Sequence, residues 1–300
     1  MTKKGTSNEN VKIDFVSNSA FQKSVKKAKR LQVLLYIFIS FVTLIVLMVV
    51  THFGIQYLIN EKIEKERIVT SRVMTDNPIK GAAISVYHTR YRHNIFSSES
   101  ETVLYKTIGD REIVWDIVLK KYPAIGAVEV LDRRSGMVDI NRIDPEAQRV
   151  VRYNQFNNER IIDFYYPDVD YTFLPQELDI ATSLDENMLI EVALSFHEPM
   201  AISDLGAVLG YENVDWLWEN VKPDTQMQEM DTKQFDPDKV LHGEDAYGYK
   251  VSERFPYDKT TIENHLISGA VISGTPQELK RFQQLDMIRA SVLGVTIDKY

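Results

Sequence analysis

"VKKAKRLQVLLYIFISFVTLIVLMVVTHFGIQYLINEKIEKE", residues 25–66, decides how the rest of the chain is read. Residues 31–60 run without a formally charged side chain, His52 counted as neutral. Crossing a bilayer takes about 20 apolar residues, so this run spans with room for tilt. A cleaved signal peptide has an apolar region of about 7–15 residues that ends at a small-x-small site. This run ends in "VVTHFGIQYLIN", which offers no such site. A soluble core helix is rarely apolar all round for so long. Residues 31–60 therefore read as an uncleaved transmembrane signal anchor.

The flanks orient it. Residues 1–30 carry eight Lys/Arg and two acids, with Lys23, Lys26, Lys27, Lys29 and Arg30 gathered beside the span. Positive charge next to a first span stays in the cytoplasm, so residues 1–30 are expected to be a short basic cytoplasmic tail and residues 61–300 to lie outside. The same cluster is suited to anionic headgroups of the lipid bilayer, although a topology signal alone accounts for it. The tail contributes +6 and the span nothing to a total of −8, which leaves −14 on residues 61–300. Phosphate neutralisation needs clustered Lys/Arg, so nucleic acid is excluded as a partner of that domain. The chain has no cysteine, which rules out disulfides, Cys-ligated zinc and thiol catalysis. A domain of this size buries enough core without them.

Residues 61–76 read as a helical stalk. Glu61 and Lys65 form an i,i+4 pair, Ile59 and Ile63 share a face, and Asn77-Pro78 ends the helix. Residues 77–175 read as the first, mixed part of the exported domain. "AAISVYHTRYRHNIF" and "IGAVEVLDRRSGMVDINRI" have strand composition, with Ser135-Gly136 as a turn between strands. "DREIVWDIVLKKYP" is ambiguous: Ile113, Val114, Ile117 and Val118 have the spacing of one helix face, and Pro123 closes the segment.

Residues 176–300 are more regular. "NMLIEVALSFHEP" alternates, with Ile190, Val192, Leu194 and Phe196 on one side and Glu191, Ala193, Ser195 and His197 on the other, as a half-buried strand does. Ser203 is expected to cap a short helix through Leu209, with Gly210 at its end. "NVDWLWEN" alternates again and places Val214, Trp216 and Trp218 on one face. In "SGTPQELKRFQQL" Thr275 caps a helix, Pro276 takes its first position and Glu278 closes a capping box. "SVLGVTIDKY" reads as a last strand. Between Pro223 and Asp258, nine acids, four Lys/Arg and three prolines with little periodicity read as a long loop. The fold class expected is α+β: a single N-terminal transmembrane helix followed by a mixed α+β extracytoplasmic domain.

No catalytic motif, cofactor-binding motif or metal set is legible. "HEP" at His197 begins like a zinc-protease helix, but Pro199 would break that helix and no second His stands four positions on. His88 and His93 are five apart, which on a strand puts them on opposite sides. Asp168 and Asp170 have calcium-type oxygens but lack the glycine and terminal Glu of a calcium loop, so they read as solvated turn acids. Trp216 and Trp218 read as core packing, with a recognition surface as the alternative. The chain is not expected to be an enzyme.

"IEVALSFHEPMAISDLGAVLGYENVDWLWENV", residues 190–221, resembles the C-terminal domain of the sigma-factor regulators of Gram-positive bacteria. There a strand ending in Ser-Phe-x-x-Pro leads to a short helix and a Trp-x-Trp strand, and Ser195, Phe196, Pro199, Trp216 and Trp218 stand at those positions. Residues 269–300 look like that family's close. Residues 21–50 are similar to its membrane-spanning N-terminal region, expected over about 21–110, with the C-terminal domain over 176–300. The resemblance implies a membrane-bound regulator related to anti-sigma factors. Its exported domain would sense or relay envelope state to control an extracytoplasmic-function sigma factor. Relatives that hold a sigma factor carry a cytoplasmic helical domain, whereas thirty residues precede this span. The implied partners are therefore a sigma factor or another anti-sigma protein, with Phe15, Phe21 and Val25 as tail residues that dock a partner. A homodimer would fix the single helix. The alternative function is a membrane-anchored exported scaffold or ligand-binding module with no transcriptional role.

Overall fold

A long apolar run satisfies its backbone polar groups only by hydrogen bonding within itself, and residues 31–60 lie inside one helix, α1 (Ser19–Thr70). The computed structural model describes residues 19–70, 78–143, 150–210, 212–219, 240–251 and 266–300. The chain divides into two units, Met1–Leu58 and Ile59–Tyr300. In the first, α1 is the one helix among the described residues long and apolar enough to cross a membrane, and none of its apolar window is buried in protein. A core helix would be covered; this one has the character of a single-pass anchor. Phe21 and Val25 are exposed on it, four residues apart and so on one face, whereas Phe15 lies outside the described residues. The stalk expected over 61–76 is helical to Thr70, with the Glu61–Lys65 pair closed at 2.8 Å. Its last residues, 71–76, lie outside the described residues.

The second unit is α+β. Its centre is a six-stranded antiparallel sheet in the order β1-β12-β10-β13-β9-β14, formed by β1 (Ile79–Lys80), β9 (Met188–Ala201), β10 (Val214–Glu219), β12 (Tyr247–Lys250), β13 (Leu266–Gly274) and β14 (Ile288–Asp298). Three short helices, α2 (Leu178–Ser183), α3 (Ile202–Leu209) and α4 (Pro276–Leu279), contribute Leu178, Ile202, Leu205, Leu209 and Leu279 to the core on one face, against Ile190, Val192, Leu194 and Phe196 of β9. Trp216, Trp218, Ala193, Val271 and Val292 belong to a second core with Phe164, Tyr165, Tyr166 and Leu241. There β8 (Asp163–Phe164) pairs with β11 (Leu241–His242). A four-stranded antiparallel sheet follows the order β2 (Ile84–His93), β3 (Ser97–Ile108), β4 (Arg111–Pro123), β5 (Glu129–Arg133), and β6 (Met137–Ile143) pairs with β7 (Val150–Asn154).

Several local expectations change. The ambiguous segment is the strand β4, paired with β3 along its whole length. A register shift between Leu104 and Tyr105 leaves Trp115 as an extra residue on β4, because Leu104 faces Asp116 and Tyr105 faces Val114. A bulge breaks the two-residue period, so Val114 and Ile117, opposite Tyr105 and Val103, share one face, and Ile113 and Val118, opposite Lys106 and Thr102, share the other. The same device separates Val214 from the tryptophans: the ladder shifts between Val214 and Trp216, so Val214 joins the helix-covered core and the two indoles the other. Ser135-Gly136 does lie between strands, but β5 pairs with β4 and β6 with β7, so it links two sheets rather than closing a hairpin. α3 starts at Ile202, so Ala201 and not Ser203 stands at its cap, without a side-chain cap bond, and the helix ends at Gly210 with φ +70°. The stretch 223–258 is not all loop, for β11 and β12 fall within it. β9 is covered on both faces through Phe196, and His197 is the first exposed residue of its polar side. The capping box of Thr275 and Glu278 forms as the residues require, and the last strand is β14.

Candidate functional site

The signature residues share a bend and two slots. On β9, Ser195 faces Gly269 and Met200 faces Ile267, so the residues between them on β9 outnumber the single Ser268 opposite. This large bulge holds Phe196 and Pro199, and the ladder resumes at Met200 and Ala201 just before α3. Pro199 has no N–H to give a ladder, which suits it to a bulge. Ser195 Oγ accepts a bond from Tyr165 N at 2.9 Å and Phe196 is buried under the helices. Trp216 and Trp218 are fully enclosed, and glycines on the flanking strands make room for them. A Cβ on Gly248 would stand 2.5 Å from Trp216 Cζ2, and one on Gly269 would stand 2.9 Å from Trp218 Cε3. Phe164 stacks on Trp218 at 4.9 Å between centroids and Tyr166 meets its edge at 5.3 Å. Asp168 and Asp170 are exposed turn acids. Both histidines of the first sheet lie on β2, and His93 Nδ1 is 3.2 Å from Ser98 Oγ.

A second constellation has no sequence motif. Lys106 of β3 and Glu191 of β9 form an ion pair at 2.6 Å, with side chains 2% and 0% exposed. The Lys106 ammonium also sits 4.4 Å from the centre of the Trp115 ring, the bulged residue of β4. Glu191 Oε2 further accepts from Val295 N at 3.2 Å, and a Cβ on Gly294 would come within 2.4 Å of that oxygen. Trp115 Nε1 donates to Glu244 Oε1 at 3.0 Å. Ile108, Trp115, Ile161, Leu189 and Val295 form a small core around the pair. This junction ties the four-stranded sheet to the six-stranded one. A charge pair buried to this degree is costly to break, because the survivor has no water. The signal available in the sequence was a Glu on the apolar strand "LIEVAL", a residue type almost never fully buried unless paired; its partner, 85 positions earlier, could not be read from it.

Two more acids approach the junction. Burial pushes the Asp215 carboxyl up to about 7, with Glu191 adding to the rise and Ser273, Lys250 and Lys106 opposing it. Burial also raises Glu159, against the bond it accepts from Thr296. An aspartate in an unfolded chain titrates near about 4. Between there and about 7 the folded state keeps a proton that the unfolded state has released. The stability this group contributes is therefore full below about pH 4 and lost as pH rises to about 7. Glu159 acts with the same sign. Asp215→Asn is expected to flatten that decline, as thermal melts of parent and variant from about pH 5 to pH 8 would record; parallel curves would contradict the burial of Asp215.

Against known families, residues 182–265 match the one described as Sigma factor regulator C-terminal. The match runs from the end of α2 through β9, α3, β10, β11 and β12, and so includes Ser195, Phe196, Pro199, Trp216 and Trp218. No curated protein and no solved structure matches the chain. Among the described residues no group of three or more His, Asp or Glu could hold a metal. The family's description names regulation rather than a reaction, and the chain carries that segment behind a single-pass anchor, consistent with the sigma-factor regulators.

Proposed function

We propose that this protein is a single-pass membrane regulator that faces the envelope with residues 61–300 and the cytoplasm with residues 1–30, and that it controls an extracytoplasmic-function sigma factor. The observation that carries the reading is the match of residues 182–265 to a sigma factor regulator domain in a chain that also holds a membrane helix. The basic cluster before the span supports the orientation. The four-stranded sheet supplies a route for a signal. One end of β3 and β4 meets β9 through Lys106 and Glu191, and the other meets the helix just beyond the span through Lys62 and Glu66. A displacement of the six-stranded sheet is carried along strands roughly 40 Å long. An exported domain cannot touch a cytoplasmic sigma factor, so the message crosses through α1. A lone helix transmits little unless a second copy or a partner's helix fixes it. Phe15, Phe21 and Val25 are the tail positions that dock the partner, a sigma factor or another anti-sigma protein.

Three experiments test this. Protease added to intact cells should remove the C-terminal region and spare the tail; protection of that region until lysis refutes the orientation. Replacing Phe15 and Phe21 by Ala should leave insertion unchanged, alter expression from the sigma-dependent promoter, and abolish recovery of a sigma factor or anti-sigma protein from detergent-solubilised membranes. If deleting the gene changes no sigma-factor regulon, the regulatory reading fails.

A further inference from the structure

We infer that the two turns at one end of the four-stranded sheet dock on the lipid surface beside the span. Ile95 and Phe96, between β2 and β3, are 64% and 68% exposed, and Ile125, between β4 and β5, is 90% exposed. The turns are joined, for Ala124 N donates to Phe96 O at 2.9 Å, so the three apolar side chains stand at one end of one sheet. A cluster of large apolar side chains of this kind marks an interaction surface, unlike scattered exposed leucines.

What covers it follows from the helix. Lys62 donates to the carbonyls of Pro123, Ala124 and Gly126, all in the turn that carries Ile125. Lys62 stands two residues past the uncharged run that ends at Asn60, about 3 Å along the helix axis. The direction is fixed by a second contact, Glu66 with Lys120 at 2.6 Å. Moving from Glu66 to Lys62 goes toward the span by about 6 Å. The matching step on β4, from Lys120 to Pro123, goes toward the turns by about 10 Å. The apolar turns therefore lie on the bilayer side of this helix segment, at the level where headgroups meet acyl chains. Exposed Ile and Phe side chains held there enter that layer.

This inference rests on α1 crossing the bilayer and is independent of any sigma factor. Because the chain has no cysteine, single cysteines mark single positions. The full chain with Ile125→Cys or Phe96→Cys, labelled with an environment-sensitive dye, is reconstituted into vesicles of phosphatidylethanolamine and phosphatidylglycerol. Part of the lipid carries a nitroxide near the headgroup. Asp110→Cys, in the turn at the opposite end of the sheet, and Leu44→Cys, within the span, serve as references. Labels at 125 and 96 are expected to emit to the blue of the label at 110 and to lose most of their emission to the shallow nitroxide, while the label at 110 keeps its own. Equal behaviour at 125 and 110 overturns the proposal. A blue shift at 125 without quenching assigns the surface to a second copy and overturns it too. If the label at 44 escapes a nitroxide placed deep in the acyl chains, the anchor reading fails and the lipid assignment fails with it.

Discussion

Replacing Lys106 by Met is expected to destabilise the Ile59–Tyr300 unit by about 3–5 kcal/mol, the usual cost of removing one partner of a buried ion pair. The surviving Glu191 carboxylate would keep the Val295 N–H and lose its cation in a site walled by Gly294 and Ile162. With total stabilities of about 5–15 kcal/mol, a loss of that size unfolds a sizeable fraction of many domains. A double variant, Lys106→Met with Glu191→Gln, removes both charges and keeps an acceptor for Val295, so most of the stability should return. Urea denaturation of parent, single and double variants measures all three. A single-variant loss below about 1 kcal/mol is the scale of a surface pair and would mean that water reaches the junction. The same variants bear on signalling: a double variant that folds but no longer regulates would place the junction on the path between the two sheets.

Trp218→Ala is expected to cost about 3–5 kcal/mol, the range for emptying a buried aromatic site. The indole lies over Gly269, stacked on Phe164 and edged by Tyr166. Backbone is close on the glycine side, for a Cβ on Gly269 would be 2.3 Å from Leu194 O, so the surroundings have little freedom to collapse into the space. Trp218 Nε1 is buried without a hydrogen-bond partner, which separates packing from polar recognition. Trp218→Phe keeps a ring in the slot and gives up no hydrogen bond, so its cost should be clearly smaller than that of the Ala variant. Melting curves of the two variants decide the matter. A Trp218→Ala protein that melts like the parent but fails to bind a partner would assign this residue to an interface instead.

Features set by neighbours along the chain are legible in the residues alone. The charge-free run of 31–60 requires a helix, because only a helix closes its own backbone hydrogen bonds in lipid. Thr275 and Glu278 stand at the spacing that lets them bond each other whatever lies around them, with Pro276 preset for the first helical position, and their capping box forms. Alternation on β9 correctly separated Ile190, Val192, Leu194 and Phe196 from Ala193 and Ser195. Three other matters depend on how the strands and sheets pack. That packing converted the helix-like spacing of Ile113, Val114, Ile117 and Val118 into a bulged strand and moved Val214 away from the tryptophans, since a bulge is set by pairing with the neighbouring strand and the broken period it leaves cannot be told locally from a helical spacing or a simple alternation. It buried the polar face of β9, because the segment carrying Phe164, Tyr165 and Tyr166 packs against the side that alternation assigned to water. It brought Lys106 to Glu191. An ion pair across 85 positions depends on how two sheets approach each other, and that approach is fixed by the apolar packing of Ile108, Trp115, Leu189 and Val295, which no single segment contains.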